Sequence, residues 1–203
     1  HWARLQDVGN MTIAQFYHAM ENPLEGSSSE SPSESPLEAD DDDMSNGYLH
    51  DQGLASKCPN LLDDVFVPSW FSQDLMQRTP PNTTNQYWHG YRDFWPSLFV
   101  GAANTSSKLH VDSGATNFWM YLNAGTKEWR FFDHLEKVPY LYRRLGQSVG
   151  FEVDTFHPDP AQFPLLGAAK MYRAVQEAGD LIFIPGGSPH AVHNHDDIVA
   201  LAM

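Results

Sequence analysis

The stretch Leu109-His110-Val111-Asp112-Ser113-Gly114 sets an imidazole and a carboxylate two residues apart, just ahead of a glycine turn. Side chains on an extended strand alternate between faces, so His110 and Asp112 leave the same one. Together they supply two of the three ligands of the facial triad used by non-haem Fe(II) oxygenases. That triad leaves positions open on the metal for a co-substrate and O₂. His-x-Asp by itself is common, and its meaning depends on a second histidine arriving from far along the chain.

One segment offers it. The apolar run 181–184 enters a Pro185-Gly186-Gly187 turn, and His190 stands where the next strand would begin. His193 and His195 are rivals, and strand parity does not separate them from it cleanly. His190 is favoured because it lies beside the turn, the strand-end position that His110 also holds. His193 and His195 are then read as surface residues or residues behind the ligands. An oxygenase of this type also needs a cation to hold the carboxylate of its co-substrate. Lys127 is the candidate, since it follows Ala124-Gly125-Thr126 and has Tyr121, Trp129 and Phe131 nearby. Two other histidines are set aside. His18 belongs to an expected helix, and His50 with its neighbour Asp51 would face opposite ways on a strand.

These residues need a scaffold of strands. Short β-branched and aromatic runs, separated by polar, Pro or Gly turns, predict strands at 97–103, 108–112, 117–123, 128–133, 170–175, 180–184, 190–194 and 198–203. Ala124-Gly125-Thr126 is short enough for a hairpin connection. Apolar spacing predicts helices at 12–21 and at 66–76, the latter packing through Trp70, Phe71 and Leu75, with a helical turn near 141–145. Residues 134–168 are otherwise irregular. Many short strands, with helices mainly on the N-terminal side, indicate an all-β jelly roll or barrel.

The chain has 203 residues and suits a single domain. It carries a net charge of −14, but residues 25–43 hold eight acids and no Lys or Arg, leaving −6 elsewhere. Rich in Ser, Pro and acid, residues 25–46 are expected to form a disordered insertion. No basic stripe is present, which argues against direct binding to nucleic-acid phosphates. Cys58 is the only cysteine, so neither an intrachain disulfide nor a Cys-based zinc site can form. That suits a nuclear or cytoplasmic location. Sequons at Asn10, Asn82 and Asn104 keep the endoplasmic reticulum lumen as the alternative. No apolar run is long enough to span a bilayer. The chain opens on His1 and closes inside an apolar run, so a fragment of a longer protein is expected.

The segments 96–101, 108–112, 117–119, 124–129 and 179–187, with His190 and Asn194, resemble a Jumonji C (JmjC) domain. The branch they most resemble contains the bifunctional arginine demethylase and lysyl-hydroxylase. This resemblance implies a double-stranded β-helix, Fe(II) held by His110, Asp112 and His190, and 2-oxoglutarate anchored by Lys127 with Tyr48 touching it. It also implies O₂-dependent hydroxylation of a protein side chain, with loss of formaldehyde where the carbon is an N-methyl. Three positions depart from the pattern: Met120 stands where relatives carry an asparagine, Ala202 where they carry a threonine, and Ser188-Pro189 where they carry bulky aromatics. Two rival readings follow, a non-catalytic interaction module and a cupin-type metal enzyme that does not use 2-oxoglutarate.

Overall fold

A computed structural model describes residues 15, 16, 18, 48–74, 95–136, 139–146 and 149–203. The expected acidic insertion and residues 75–94 lie outside them. Of the helix expected at 12–21, residues 15, 16 and 18 are described; they are helical, and His18 is exposed.

Among the described residues nine strands build the domain: β1 (Tyr48–Gly53), β2 (Ser97–Gly101), β3 (Ser106–His110), β4 (Phe118–Ala124), β5 (Thr126–Phe132), β6 (Met171–Glu177), β7 (Leu181–Ile184), β8 (His190–Asn194) and β9 (Ile198–Ala202). They form a five-stranded sheet in the order β1-β2-β9-β4-β7 and a four-stranded sheet in the order β3-β8-β5-β6. All pairings are antiparallel. This is the expected jelly roll, with each sheet built from strands distant in sequence.

The main core lies between the sheets. Met120, Leu122, Trp129, Ile184, Val192, Ile198, Ala200 and Ala202 are its buried residues. Period-two alternation puts Lys127, Trp129 and Phe131 of β5 inside and sends Glu128 and Arg130 to the outer face. A second core forms where the irregular segment after β5 folds back over the four-stranded sheet, joining Leu109, Val111 and Phe132 to Leu141 and Phe151.

Three local expectations are corrected. Ala124-Gly125-Thr126 is not a hairpin: β4 pairs with β7 and β9, whereas β5 pairs with β6 and β8. The connection is a corner that carries the chain between sheets. Gly125 makes the corner possible: its φ is 83°, and a Cβ there would clash with the Asp197 carbonyl oxygen at 2.3 Å. Over the described part of the expected 66–76 helix, residues 66–74, there is one 3₁₀ turn, Ser69–Phe71, with Trp70 in solvent. Of the three residues expected to pack, Phe71 stacks on Trp119 and Phe183, and Leu75 lies outside the described residues. Near 141–145 the chain makes an isolated bridge, Arg143 to Phe151, rather than a helical turn.

Candidate metal centre

β3 and β8 lie side by side, and their register sets His110 directly opposite His190. The ring centroids are 4.3 Å apart. Asp112 lies just beyond the end of β3, still extended at φ −65° and ψ 148°. Side-chain alternation therefore continues past the strand, so Val111 enters the second core while its two neighbours face the first. His110, Asp112 and His190 each offer a ligand atom, and these atoms lie within 4.8 Å of one another.

The local sequence explains why the two stretches meet. Asp112 leads into Ser113-Gly114-Ala115, where Gly114 has φ of 70°. The Pro185-Gly186-Gly187 turn closes against it. Asn117 Oδ1 accepts a hydrogen bond from the Gly186 amide at 2.7 Å, and a Cβ on Gly186 would lie 2.2 Å from the Ala115 carbonyl oxygen. Both imidazoles are oriented in the same way. His110 Nδ1 donates to the Lys108 carbonyl at 2.7 Å, and His190 Nδ1 to the Ser188 carbonyl at 3.0 Å. A carbonyl can only accept, so Nδ1 carries the proton and Nε2 keeps its lone pair for a metal.

Charge is arranged to suit a cation. Burial, with Asp51 adding like-charge repulsion, pushes the Asp112 carboxyl up to about 7. Burial and the neighbouring His110 hold the His190 imidazole down at about 3. A divalent ion reverses the cost at Asp112 and finds His190 already neutral. The two-nitrogen, one-carboxylate donor set fits Fe(II) and related first-row metals. Phe118 and Trp129 wall the site, their rings 5.6 and 6.1 Å from that of His190.

Lys127 lies deeper in the same interior. Across β5 its register partners are Asn194 of β8 and Gln176 of β6, and all three are buried. His190 and Asn194 are four residues apart on β8, so the lysine row sits about 13 Å further along the strands than the histidine row. Lys127 is fully buried, and Nζ donates to the Tyr48 hydroxyl at 3.2 Å. Among the described residues no carboxylate pairs with it. Burial lowers its ammonium to about 7. Burial likewise raises the Tyr48 phenol, with Asp51 adding to the rise and Asn194 opposing it. Asn194 Nδ2 donates to Thr105 Oγ1 at 2.8 Å, and Asn194 Oδ1 is buried without a hydrogen-bond partner. A buried ammonium beside an unsatisfied amide oxygen suits a carboxylate-bearing ligand with bound water.

The other expected residues fall elsewhere. His193 faces the outside of the four-stranded sheet, its Nδ1 2.8 Å from Ser106 Oγ. His195 pairs there with Glu128 at 3.3 Å. Tyr121 is exposed and does not flank Lys127. Met120 and Ala202 are direct cross-strand partners, so two of the three departures form one apolar patch in the main core. Sequence reasoning missed Asp51, whose charge acts on both Tyr48 and Asp112. It also missed the hydrogen bonds from Trp129 Nε1 to Gln176 Oε1 and from Asn194 to Thr105, because no local pattern marks contacts between residues 47 and 89 positions apart.

A double-sheet roll with a histidine-aspartate-histidine cluster that could hold a metal ion defines a cupin-like protein. The comparisons agree. The sequence profile of the cupin-like domain family matches residues 4–203, and the chain belongs to that family, in its JmjC-type oxygenase group. It is 25% identical over 161 residues to the arginine-specific demethylase JMJ22 of Arabidopsis thaliana, covering 76% of this chain and 30% of that protein. Over 163 residues it is 29% identical to the human 2-oxoglutarate and iron-dependent oxygenase JMJD4, covering 76% and 35%. With the chicken tRNA wybutosine-synthesizing protein 5 it shares 30% identity over 149 residues, covering 73% and 40%. The chain thus spans about a third of the length of these relatives. Among the described residues no helix is long and apolar enough to cross a membrane.

Proposed function

We infer that this chain is an Fe(II)- and 2-oxoglutarate-dependent dioxygenase that hydroxylates a protein side chain, demethylating it where the carbon is an N-methyl. The observation that carries the inference is the pairing of two features in one interior. A His110, Asp112 and His190 cluster sits at one end, and deeper lies a fully buried lysine with no carboxylate partner among the described residues.

His110 and His190 would bind the metal through Nε2, their rings held by the Lys108 and Ser188 carbonyls. Asp112 would supply the anionic ligand and give up its proton as the metal enters. Lys127, oriented by Tyr48, would hold the distal carboxylate of 2-oxoglutarate by a charge-assisted hydrogen bond. Phe118, Trp129 and Phe131 would keep bulk water from the space between. When bound, the metal and 2-oxoglutarate would supply the O₂ activation needed for C–H oxidation. The chain's own contribution is orientation, proton release and a dry pocket. Its acidity favours a polypeptide substrate over a polynucleotide.

The apolar Met120–Ala202 pair favours a second reading, a JmjC-like interaction module without turnover. Succinate release from 2-oxoglutarate, with Fe(II) and ascorbate, separates the two. Turnover that disappears in His110→Ala supports the dioxygenase. No turnover in the unaltered chain, with tight peptide binding retained, supports the module.

A further inference from the structure

Residues 59–74 form a ledge on the five-stranded sheet, built from two 3₁₀ turns, Pro59–Asp64 and Ser69–Phe71. The ledge is tied down at Phe71, whose ring stacks on Trp119 and Phe183 at 5.9 and 5.5 Å. Between it and the sheet runs a groove of about 380 Å³, lined mainly by Leu62, Val65, Val67, Phe71, Pro96 and Met203.

The register places this groove at the metal end of the roll. Gly101, at one end of β2, packs on Tyr48 and Asn194, at the level of Lys127. Four residues back along β2 lies Ser97, next to the groove residue Pro96. Four residues back along β8 lies His190. Met203 exchanges two backbone hydrogen bonds with Trp119, whose neighbour Phe118 lies 5.6 Å from the His190 ring. Groove and metal cluster therefore share one rim.

The ledge surface has an unusual composition. Trp70 is 87% exposed, Phe66 82% and Leu61 45%. Exposed aromatics grouped beside an apolar groove mark an interaction surface, because water-facing surfaces seldom carry them together. Residues 59–74 also contain Asp63, Asp64 and Asp74 and no Lys or Arg. Such a surface repels polyanions, nucleic acid and anionic lipid alike. It attracts a cationic chain with apolar side chains to place among the aromatics.

We propose that this ledge and groove dock a basic, aliphatic segment of polypeptide, the flanking sequence of the substrate whose target side chain enters at the shared rim. The proposal rests on the reading that the substrate is a polypeptide. Phe66 and Trp70 are the anchors, the groove receives an aliphatic side chain, and the aspartates select Lys- and Arg-bearing neighbours.

The test uses the full chain and three fluorescent heptapeptides, read by anisotropy without added metal or 2-oxoglutarate. One alternates Lys with Leu and Val, one replaces each Lys by Glu, and one replaces each Leu and Val by Ser. Only the first is expected to bind well, and more weakly as salt rises. The double variant Phe66→Ala/Trp70→Ala should weaken it by roughly thirtyfold or more. Asp63→Asn/Asp64→Asn should flatten the salt dependence. These side chains are exposed, and an unchanged thermal transition reports that each variant is folded. Equal binding of the three peptides, or full affinity in the aromatic double variant, would overturn the proposal. Because the assay needs no turnover, missing succinate release would remove the dioxygenase reading and leave this result standing.

Discussion

Lys127 and Glu128 are neighbours on one strand and both are buried, yet the fold treats their charges in opposite ways. Glu128, on the outer face, is fully partnered. Arg173 reaches it at 2.8 Å, Arg130 at 3.1 Å and His195 at 3.3 Å. The Arg173 hydrogen bond, helped by Arg130, holds its carboxyl down at about 2. Lys127, on the inner face, has a tyrosine hydroxyl and no counter-ion among the described residues, so burial drags its ammonium down to about 7. A buried charge that the protein neutralises itself is part of the scaffold. One left without a counter-ion is a candidate site for an anionic ligand.

The sharpest way to break this comparison is to remove each charge in turn. Lys127→Met should weaken 2-oxoglutarate binding by at least about a hundredfold, ~3 kcal/mol, measured by calorimetry on the metal-loaded chain. The same change should leave the ligand-free chain as stable or more so, since it removes an uncompensated buried cation. Glu128→Gln should do the reverse, lowering unfolding stability by roughly 1–3 kcal/mol in denaturant melts while leaving 2-oxoglutarate affinity within about twofold. If Lys127→Met destabilised the chain as Glu128→Gln does, the lysine would be structural.

A smaller effect probes the support behind the lysine. A Cβ on Gly101 would lie 2.6 Å from the Tyr48 ring and 2.9 Å from Asn194 Nδ2. Gly101→Ala should therefore shift Tyr48 off Lys127 and raise the apparent KM for 2-oxoglutarate about tenfold, with metal affinity retained. Steady-state assays at saturating Fe(II) would show it.

The pH dependence of the two charges differs in sign and window. Lys127 has a folded value of about 7 against an ordinary 10.5. Above pH 7 the free pocket loses the ammonium, so 2-oxoglutarate affinity should fall by up to about tenfold per pH unit. Between those values the unfolded chain binds a proton that the folded chain does not, so ligand-free stability should rise with pH. Glu128 goes from an ordinary 4.5 to about 2. Its contribution is present above pH 4.5 and is lost as pH falls towards 2. Thermal melts across both windows would resolve the two slopes.

Much of the candidate site was legible because its chemistry is local. His110 and Asp112 share a short extended stretch, and His190 follows a Pro-Gly-Gly turn. The jelly roll was legible from short strands broken by turns. What the sequence hid depends on pairing across distance. Ala124-Gly125-Thr126 reads as a hairpin because its length is right, and only the strand partners reveal a corner between sheets. The apolar spacing at Trp70, Phe71 and Leu75 imitates a helix, yet Trp70 and Phe66 face solvent. Asp51 looked like a poor ligand beside His50, and its electrostatic reach to Asp112 needed β1 in place. Met120 and Ala202 counted as separate departures until the β4–β9 register made them one patch.

The most direct test is a titration of 2-oxoglutarate into the chain with and without Fe(II) under anaerobic conditions, alongside His190→Ala and Lys127→Met. We expect binding only to the metal-loaded chain, loss of metal binding in His190→Ala, and loss of 2-oxoglutarate alone in Lys127→Met. Binding of 2-oxoglutarate without metal, or full metal affinity in His190→Ala, would contradict the account.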